Sequence, residues 1–340
     1  MSDFEEQEYE EDQEGVEEPD LDQEEGEDVE GVEQEEEEKI PEVPLTEEII
    51  GENLSLLCKI GNGLAHAYVR LDVKEKEITD ITILSSYIHL RYVDLSANML
   101  KDISSLNSLT HLLTLRCDRN LLTSAKLDEL PYLQNASFSN NRITSLEGVN
   151  HPLLESLNLS FNEITNITGL DPSKLGRLHT LELRGNKLTS TAGVTLPNLK
   201  NLFLGGNLVT TIEGLERLEH LTTLHLRDNQ LEKLDGFSES MKNLQYINLR
   251  GNNVTNVKET AKLKCLPKLR ALILSDNPIS DEDDYRMEVL INLRRIERLD
   301  KDEFTEEERQ EAEEIYEQRR AEELAAEGTE EVIHSDGEEA

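Results

Sequence analysis

Apolar side chains fall in a fixed order along most of this chain. Around position 162 the order is Leu154, Leu157, Leu159, Ile164, Ile167; around position 229 it is Leu221, Leu224, Leu226, Leu231, Leu234. Each set reads L-x-x-L-x-L-x-x-N-x-L-x-x-L. The asparagine of that frame recurs as Asn98, Asn120, Asn141, Asn162, Asn186, Asn207, Asn229, Asn252 and Asn277, at intervals of 21 to 25 residues. Leu157 and Leu159 are two apart, so on a strand they share one face. After Asn162 the chain must turn before Ile164 can point inward again. Such a turn carries backbone N–H and C=O groups into the interior, where each needs a partner. Asparagine offers a donor and an acceptor on a short stem. The pattern therefore predicts stacked coils, each with one short strand, held by an internal asparagine ladder. These nine asparagines are read as structural.

A period of this length in this frame marks leucine-rich repeats. A second periodicity refines the class. Glycine followed by an apolar residue comes seven positions after five of the asparagines, as Gly148–Val149, Gly169–Leu170, Gly193–Val194, Gly214–Leu215 and Gly236–Phe237. The stretches LEGV, ITGL, IEGL and LDGF resemble the short-repeat class of intracellular leucine-rich-repeat proteins, the type of the SDS-twenty-two phosphatase regulator. That resemblance implies an α/β solenoid with a curved parallel β-sheet on the concave face and short 3₁₀ or α turns on the convex face. The coil around Lys76, with Leu71, Val73, Ile78 and Ile81, keeps the frame but lacks the asparagine, which makes it an atypical first repeat.

A repeat at either end exposes half a core and needs a cap. Thr46 suits a helix N-cap, with Glu47 and Glu48 in the first turn. Ile49, Ile50, Leu54 and Leu57 follow at helical spacing. This predicts a helical cap over 44–68, closed by a turn at Gly61-Asn62-Gly63, with repeats over 69–282. At the other end Asn277-Pro278 leads to Tyr285, Leu290, Leu293, Ile296 and Leu299, which resembles the C-terminal cap of the same class, over 283–304. Tyr285 is a core residue of that cap. Thr305 with Glu308 is a capping box. Residues 305–327 are rich in Glu, Ala, Arg and Gln and predict a charged helix whose thin apolar stripe is Ile315, Tyr316 and Leu324. That helix is either solvated on the end of the solenoid or a dock for a partner.

Charge changes the picture of the ends. The chain has 340 residues and a formal charge of −39. Residues 1–40 carry 22 acids and one base, and residues 302–340 carry 17 acids and three bases; −21 and −14 taken from −39 leave −4 for all the rest. The repeats are nearly neutral. Residues 1–43 have too few apolar side chains to offset their ordering entropy and are expected to be disordered, as is 328–340. Acidic ends and a pI near 4.5 disfavour nucleic acid and anionic membrane as partners. No apolar run is long enough to span a bilayer. The acidic start is unlike a signal peptide. Three cysteines, Cys58, Cys117 and Cys265, suit a reducing compartment, with Cys117 in an inward position of its repeat.

Chemistry is sparse. P-loop, G-x-S-x-G and H-E-x-x-H motifs are absent, and the eight histidines have no metal-ligand spacing. No catalytic residue, metal, cofactor or small-molecule substrate is expected. A binding surface is. Residues between the apolar strand positions face the concave side. Arg184, Arg227 and Arg250 share one register there, two before the ladder asparagine, with Gly205 at the intervening repeat. Phe161, Phe203, His225 and Tyr246 lie beside that stripe. Arginine with aromatics is a hot-spot composition; the competing reading is arginine that solubilises the face and pairs with Glu182 or Asp228.

Several stretches resemble one family in particular. They are SLLCKIGNGLAHAYVRLDVKEKEITDI (55–81), SSYIHLRYVDLS (85–96), LHLRDNQ (224–230), YINLRGN (246–252) and PKLRALILSDNP (267–278). These are similar to the leucine-rich repeat-containing protein 23 family over about residues 44–305. The first stretch is the most specific, because generic repeats do not dictate GNGLAHAYV. The resemblance implies a structural component of the radial spokes of motile cilia and sperm flagella, with spoke and axonemal proteins as partners and no active site. Two other classes remain open: a phosphatase regulatory subunit that binds on its concave face, and an acidic histone-chaperone-like protein. The second calls for its longest acidic run after the repeats, whereas the denser run here comes before them.

The inward assignment is testable. Leu226→Asp should place a charge in the core and destabilise the stack by about 4 kcal/mol. An unchanged thermal midpoint would show that Leu226 does not face inward.

Overall fold

A computed structural model describes residues 41–61 and 63–335. The expected disorder of residues 1–40 and of 336–340 lies outside the described residues. Among the described residues thirteen strands form one sheet in strict chain order. A short helix, α1 (Glu47–Asn53), precedes β1 (Leu54–Ile60) and β2 (Ala65–Asp72), which pair antiparallel. Nine three-residue strands follow: β3 (Tyr92–Asp94), β4 (Thr114–Arg116), β5 (Asn135–Ser137), β6 (Ser156–Asn158), β7 (Thr180–Glu182), β8 (Asn201–Phe203), β9 (Thr223–His225), β10 (Tyr246–Asn248) and β11 (Ala271–Ile273). From β2 to β12 (Arg298–Leu299) every pairing is parallel and in register. Helix α2 (Tyr285–Asn292) sits between β11 and β12, and β13 (Asp302–Glu303) precedes helix α3 (Glu306–Ser335). The molecule is a leucine-rich-repeat solenoid with short 3₁₀ segments between many of the strands.

The register stacks one apolar column. Leu71, Val93, Leu115, Ala136, Leu157 and their successors are aligned strand by strand and buried. A parallel sheet of three-residue strands has few ladder bonds, so the turns must supply the rest. Asn162 shows how. Its Nδ2 donates to the carbonyls of Phe138 (3.0 Å), Leu159 (3.0 Å) and Ser160 (3.2 Å). Its Oδ1 accepts from the Ile143 amide at 3.0 Å. Phe138 and Ile143 belong to the preceding coil, so one side chain closes its own turn and ties it to the last. The other eight asparagines make the same set, at 3–8% exposure. The residue before each asparagine is left-handed, from Ala97 to Asp276. Glycine occupies that row at 185, 206 and 251; the others bear a Cβ at some cost.

On the convex side glycine has a steric reason. A Cβ on Gly193 would run into the carbonyl oxygen of Ile167, and one on Gly236 into that of Ile212. Both also have positive φ, +99° and +96°. The coils can approach this closely only without a side chain.

Both ends differ in part from the sequence-based expectation. Thr46 caps α1 by accepting from the Ile49 amide at 3.3 Å. The helix stops at Asn53, and Leu54 and Leu57 lie on β1, not on a helix. The stretch 54–72 favours β because Leu71 and Val69 must feed the sheet; the apolar spacing of 49–57 fits a helix only by reading across two elements. Val43, expected in the disordered segment, is tied to Thr79: its amide donates to the Thr79 hydroxyl at 2.8 Å, and its carbonyl accepts from the Thr79 amide at 2.9 Å. At the other end Asp300 closes the ladder. Its Oδ1 accepts from the amides of Leu274 and Ser275, both at 2.8 Å, and Tyr285 donates its hydroxyl to Oδ2 at 3.1 Å. Tyr285 is buried, and burial beside Asp300 drives its phenol far above the usual range.

Thr305 and Glu308 form the reciprocal cap of α3, at 2.7 and 3.2 Å. The helix runs to Ser335, past the expected end near 327, so 328–335 is helical rather than disordered. Its first turns pack on the cap. Ala312 is buried, Ile315 and Tyr316 lie against the core, and Arg286 bonds Glu308 at 2.6 Å while its guanidinium stacks on Phe304. Arg319 bonds Glu288 at 2.6 and 2.9 Å. Leu324, beyond these contacts, is exposed. The near half of α3 thus seals the solenoid end.

Asn162→Ala removes the acceptor of the buried Ile143 amide and one of the donors to the carbonyls of Phe138, Leu159 and Ser160, which keep Asn141, Asn186 and the Asn140 amide. A loss of about 3 kcal/mol is expected in chemical denaturation, the scale of unsatisfied buried groups. A midpoint within error of the parent would remove the ladder from its place in the fold.

Candidate binding surface on the concave face

Strand residues alternate between core and concave face, so three rows of side chains line the inside of the solenoid. In its C-terminal half these rows bring together Arg184, Phe203, His225, Arg227 and Tyr246. The Arg184 guanidinium carbon lies 4.5 Å above the Phe203 ring centre. The Phe203 and His225 ring centres are 4.7 Å apart, and those of His225 and Tyr246 are 5.0 Å apart. Three consecutive strands therefore carry a tilted ring stack with a cation on its end. Such contacts favour one another beyond their buried area.

Two arginines lean toward the same repeat. Arg184 reaches forward from β7 over Phe203. Arg227, beyond β9, reaches back, and a Cβ on Gly205 would lie 2.9 Å from its Cγ. Glycine at 205 is what admits that side chain. Its Nε is 3.7 Å from Asp228, a loose pair on the surface. Arg250 behaves differently. Its Nε donates to Asp276 Oδ2 at 2.6 Å, so it is engaged within the chain. The equal register of the three arginines hid this difference, because an aspartate one repeat further on, Asp276, is what ties Arg250.

Phe161 is exposed as expected, at a strained position, whereas His225 is not exposed. Phe161 is 55% exposed, but it occupies the left-handed position before Asn162, with φ +56°, and its ring lies over Gly185. A bulky side chain is an outlier there. His225 was expected to face a partner; it is 8% exposed, held between Phe203 and Tyr246. Burial, and then the charges of Arg184 and Arg227, lower its pKa to about 3. It is a neutral filler beneath the two guanidiniums.

The N-terminal half of the face is polar, and sequence reasoning gave it little weight. Asp72, Lys74, Asp94, Arg116 and Asp118 line a groove of about 630 Å³. Lys74 reaches Asp94 at 3.1 Å and Asp72 at 3.6 Å. Asp118 accepts from the Ser137 hydroxyl at 2.5 Å and the Ser139 amide at 2.7 Å. These carboxylates are held by neighbours, an arrangement that orders a surface. Its signal was present as Asp72 and Asp94 in one register, but without the fold their shared lysine could not be placed. Elsewhere His151 is buried, accepts from the Leu130 amide at 3.2 Å and has its pKa lowered by burial to about 4. Among the described residues no group of His, Cys, Asp and Glu could hold a metal ion, and no helix is long and apolar enough to cross a membrane.

The fold defines a leucine-rich-repeat protein. Models described as leucine-rich repeats match residues 177–328 and 150–167. A leucine-rich-repeat protein of Leptospira interrogans superposes with a TM-score of 0.56 at 25% identity, over 68% of this chain and 60% of that one. Leucine-rich repeat-containing protein 23 of Homo sapiens is 57% identical over 279 residues, 82% of this chain and 81% of its own length. The Bos taurus protein of that name is 57% identical over 80% of both chains, and the Xenopus tropicalis one 56% identical over 85% of this chain and 82% of its own. The chain belongs to the leucine-rich repeat-containing protein 23 family.

His225 makes stability depend on pH. Its folded pKa of about 3 lies below the ordinary 6.5. The unfolded chain therefore takes up its proton first, and the contribution of neutral His225, complete above pH 6.5, is lost progressively as pH falls toward 3. His151 acts with the same sign. Between pH 7.5 and 5 the urea midpoint of the parent should fall more steeply than that of His225→Phe. Parallel slopes would show that His225 is not held neutral by burial.

Proposed function

We propose that this chain is a non-enzymatic scaffold of the axonemal radial spoke in motile cilia and flagella. In this reading it links spoke-head and other axonemal proteins, and it works in the cytoplasm as part of the cytoskeleton of the axoneme. Membership of the leucine-rich repeat-containing protein 23 family supports the assignment, together with the family-specific stretch at 55–81. The observation that carries a binding role is the approach of Arg184 and Arg227 to one aromatic stack on the concave face. Rings with few rotatable bonds and planar guanidiniums lose little entropy on contact, and such groups dominate interface energies. A partner surface with carboxylates near an apolar or aromatic patch fits it.

Scaffolding also suits the rest of the molecule. A stack whose coils are locked by buried hydrogen bonds holds its two ends at a constant separation. The carboxylates of the polar groove are engaged by lysine, serine and backbone amides, an arrangement that fixes a surface rather than one that moves protons.

Arg184→Glu with Arg227→Glu should weaken capture of spoke proteins from axonemal extract by more than about tenfold, the cost of a broken hot-spot charge contact. Circular dichroism and the thermal midpoint should stay near those of the parent, because both side chains are surface groups. Stoichiometric recovery of a phosphatase catalytic subunit without spoke proteins would instead favour a phosphatase regulatory subunit. Undiminished capture by the folded double variant would move the partner site off this face.

A further inference from the structure

Strand β1 lies outside the repeat logic. Among the described residues it ends the sheet order, so one edge of its backbone faces no other described strand. It has seven residues where the repeat strands have three. Long bare edges are templates for pairing with another chain. Of the ten large apolar side chains exposed among the described residues, four belong to this hairpin: Leu56, Leu57, Leu64 and Tyr68. The exposed apolar surface is thus concentrated here and scattered elsewhere.

The backbone enforces that exposure. Neighbouring side chains on a strand point to opposite faces. Leu56 and Leu57 are adjacent, yet they are 50% and 57% exposed. Leu56 has φ +59°, a left-handed conformation that costs a leucine stability. A kink of that cost, with both leucines left at the surface, contributes nothing visible to the core. Charge singles out the same segment. Between Glu52 and Asp72 the chain carries Lys59, His66 and Arg70 and no carboxylate, although the whole has a formal charge of −39.

We propose that β1 is a docking edge that takes an extended segment of a partner protein as an added strand, and that this segment alternates aliphatic and acidic residues. Leu57 pairs across the hairpin with Tyr68, Lys59 with His66 and Ser55 with Arg70, so one face presents an apolar pair between two basic positions. Cys58 and Ile60 face the other way and meet the aliphatic side of the incoming strand. Main-chain bonds give affinity in this mode and alternate side chains give specificity. A second copy of this chain fits poorly. Symmetric pairing would bring two acid-free edges with Lys59 together, and a seven-residue edge buries much less than the roughly 1,200 Å² of a stable dimer. Residues 1–40 have the matching charge but nowhere place two aliphatic residues two apart, as a strand face needs. This site is separate from the concave arginines and does not depend on them.

The test uses the full chain and fluorescence anisotropy with three labelled heptapeptides: alternating glutamate and valine, alternating lysine and valine, and the first one N-methylated at alternate amides. The glutamate–valine peptide should bind. Lys59→Glu, an exposed change, should weaken it about tenfold and favour the lysine–valine peptide. Leu57→Ser should weaken both. N-methylation should abolish binding, because strand addition needs the amides, and Arg184→Glu should leave it unchanged. The proposal is overturned by absent binding of the glutamate–valine peptide, or by equal binding of its N-methylated form. It is equally overturned by a dimer in sedimentation that Leu57→Ser dissolves, or by binding that emerges only after removal of residues 1–40.

Discussion

Turn backbone carried into the interior must find hydrogen-bond partners, and nearly everything in this solenoid follows from how it does so. Each ladder asparagine donates to carbonyls of its own turn and of the preceding coil, and accepts an amide from that coil. Buried amides and carbonyls left alone would each cost 1 kcal/mol or more. The side chain that satisfies them leaves the residue before it left-handed; Gly, Asp and Asn fill six of the nine positions of that row, and Ala97, Arg119 and Phe161 fill the others. It also requires that coils stack at one spacing, which is why the strands run in strict register. Asp300 performs the closing version of this task with oxygens alone: Oδ1 accepts from the Leu274 and Ser275 amides and Oδ2 from the Tyr285 hydroxyl.

Once the core is specified in this way, the concave face is free to vary. Its two halves have diverged. One holds a network of Asp72, Lys74, Asp94, Arg116 and Asp118; the other holds rings and arginines. Glycine at 205 matters to the second half through what it omits. Without a side chain there, Arg227 folds back toward Phe203 and the stack gains a cation on each side. Neutral repeats and acidic ends separate the tasks further: the scaffold does not repel itself, while most of the charge is kept outside the stack.

The repeat architecture was legible because its signal is local and periodic. Leu157, Leu159, Asn162 and Ile164 sit within eight residues of one another, and their chemistry recurs in the nine coils from Asn98 to Asn277. The ends were less legible because they occur once. Leu54 and Leu57 satisfy a helical spacing and a strand equally well, and only the pairing of Leu54 with Leu71 decides for the strand. The helix after the cap was visible from its capping box, but its length was not: Gly328 reads as a stop, yet the helix runs through it to Ser335. On the concave face the sequence placed Arg184, Arg227 and Arg250 in one row and His225 beside them. It could not tell that Asp276 binds one of the three or that rings on either side bury the histidine.

By itself, then, the sequence determined the period, the inward column, the ladder and the distribution of charge, because each depends on residues close in the chain. Tertiary structure decided which side chains meet across coils. Contacts such as Arg184 with Phe203, Arg250 with Asp276 and Leu57 with Tyr68 join residues of different coils or strands. Their geometry is set by strand register and by a left-handed turn at one leucine, and neither quantity is written in any single stretch of the chain.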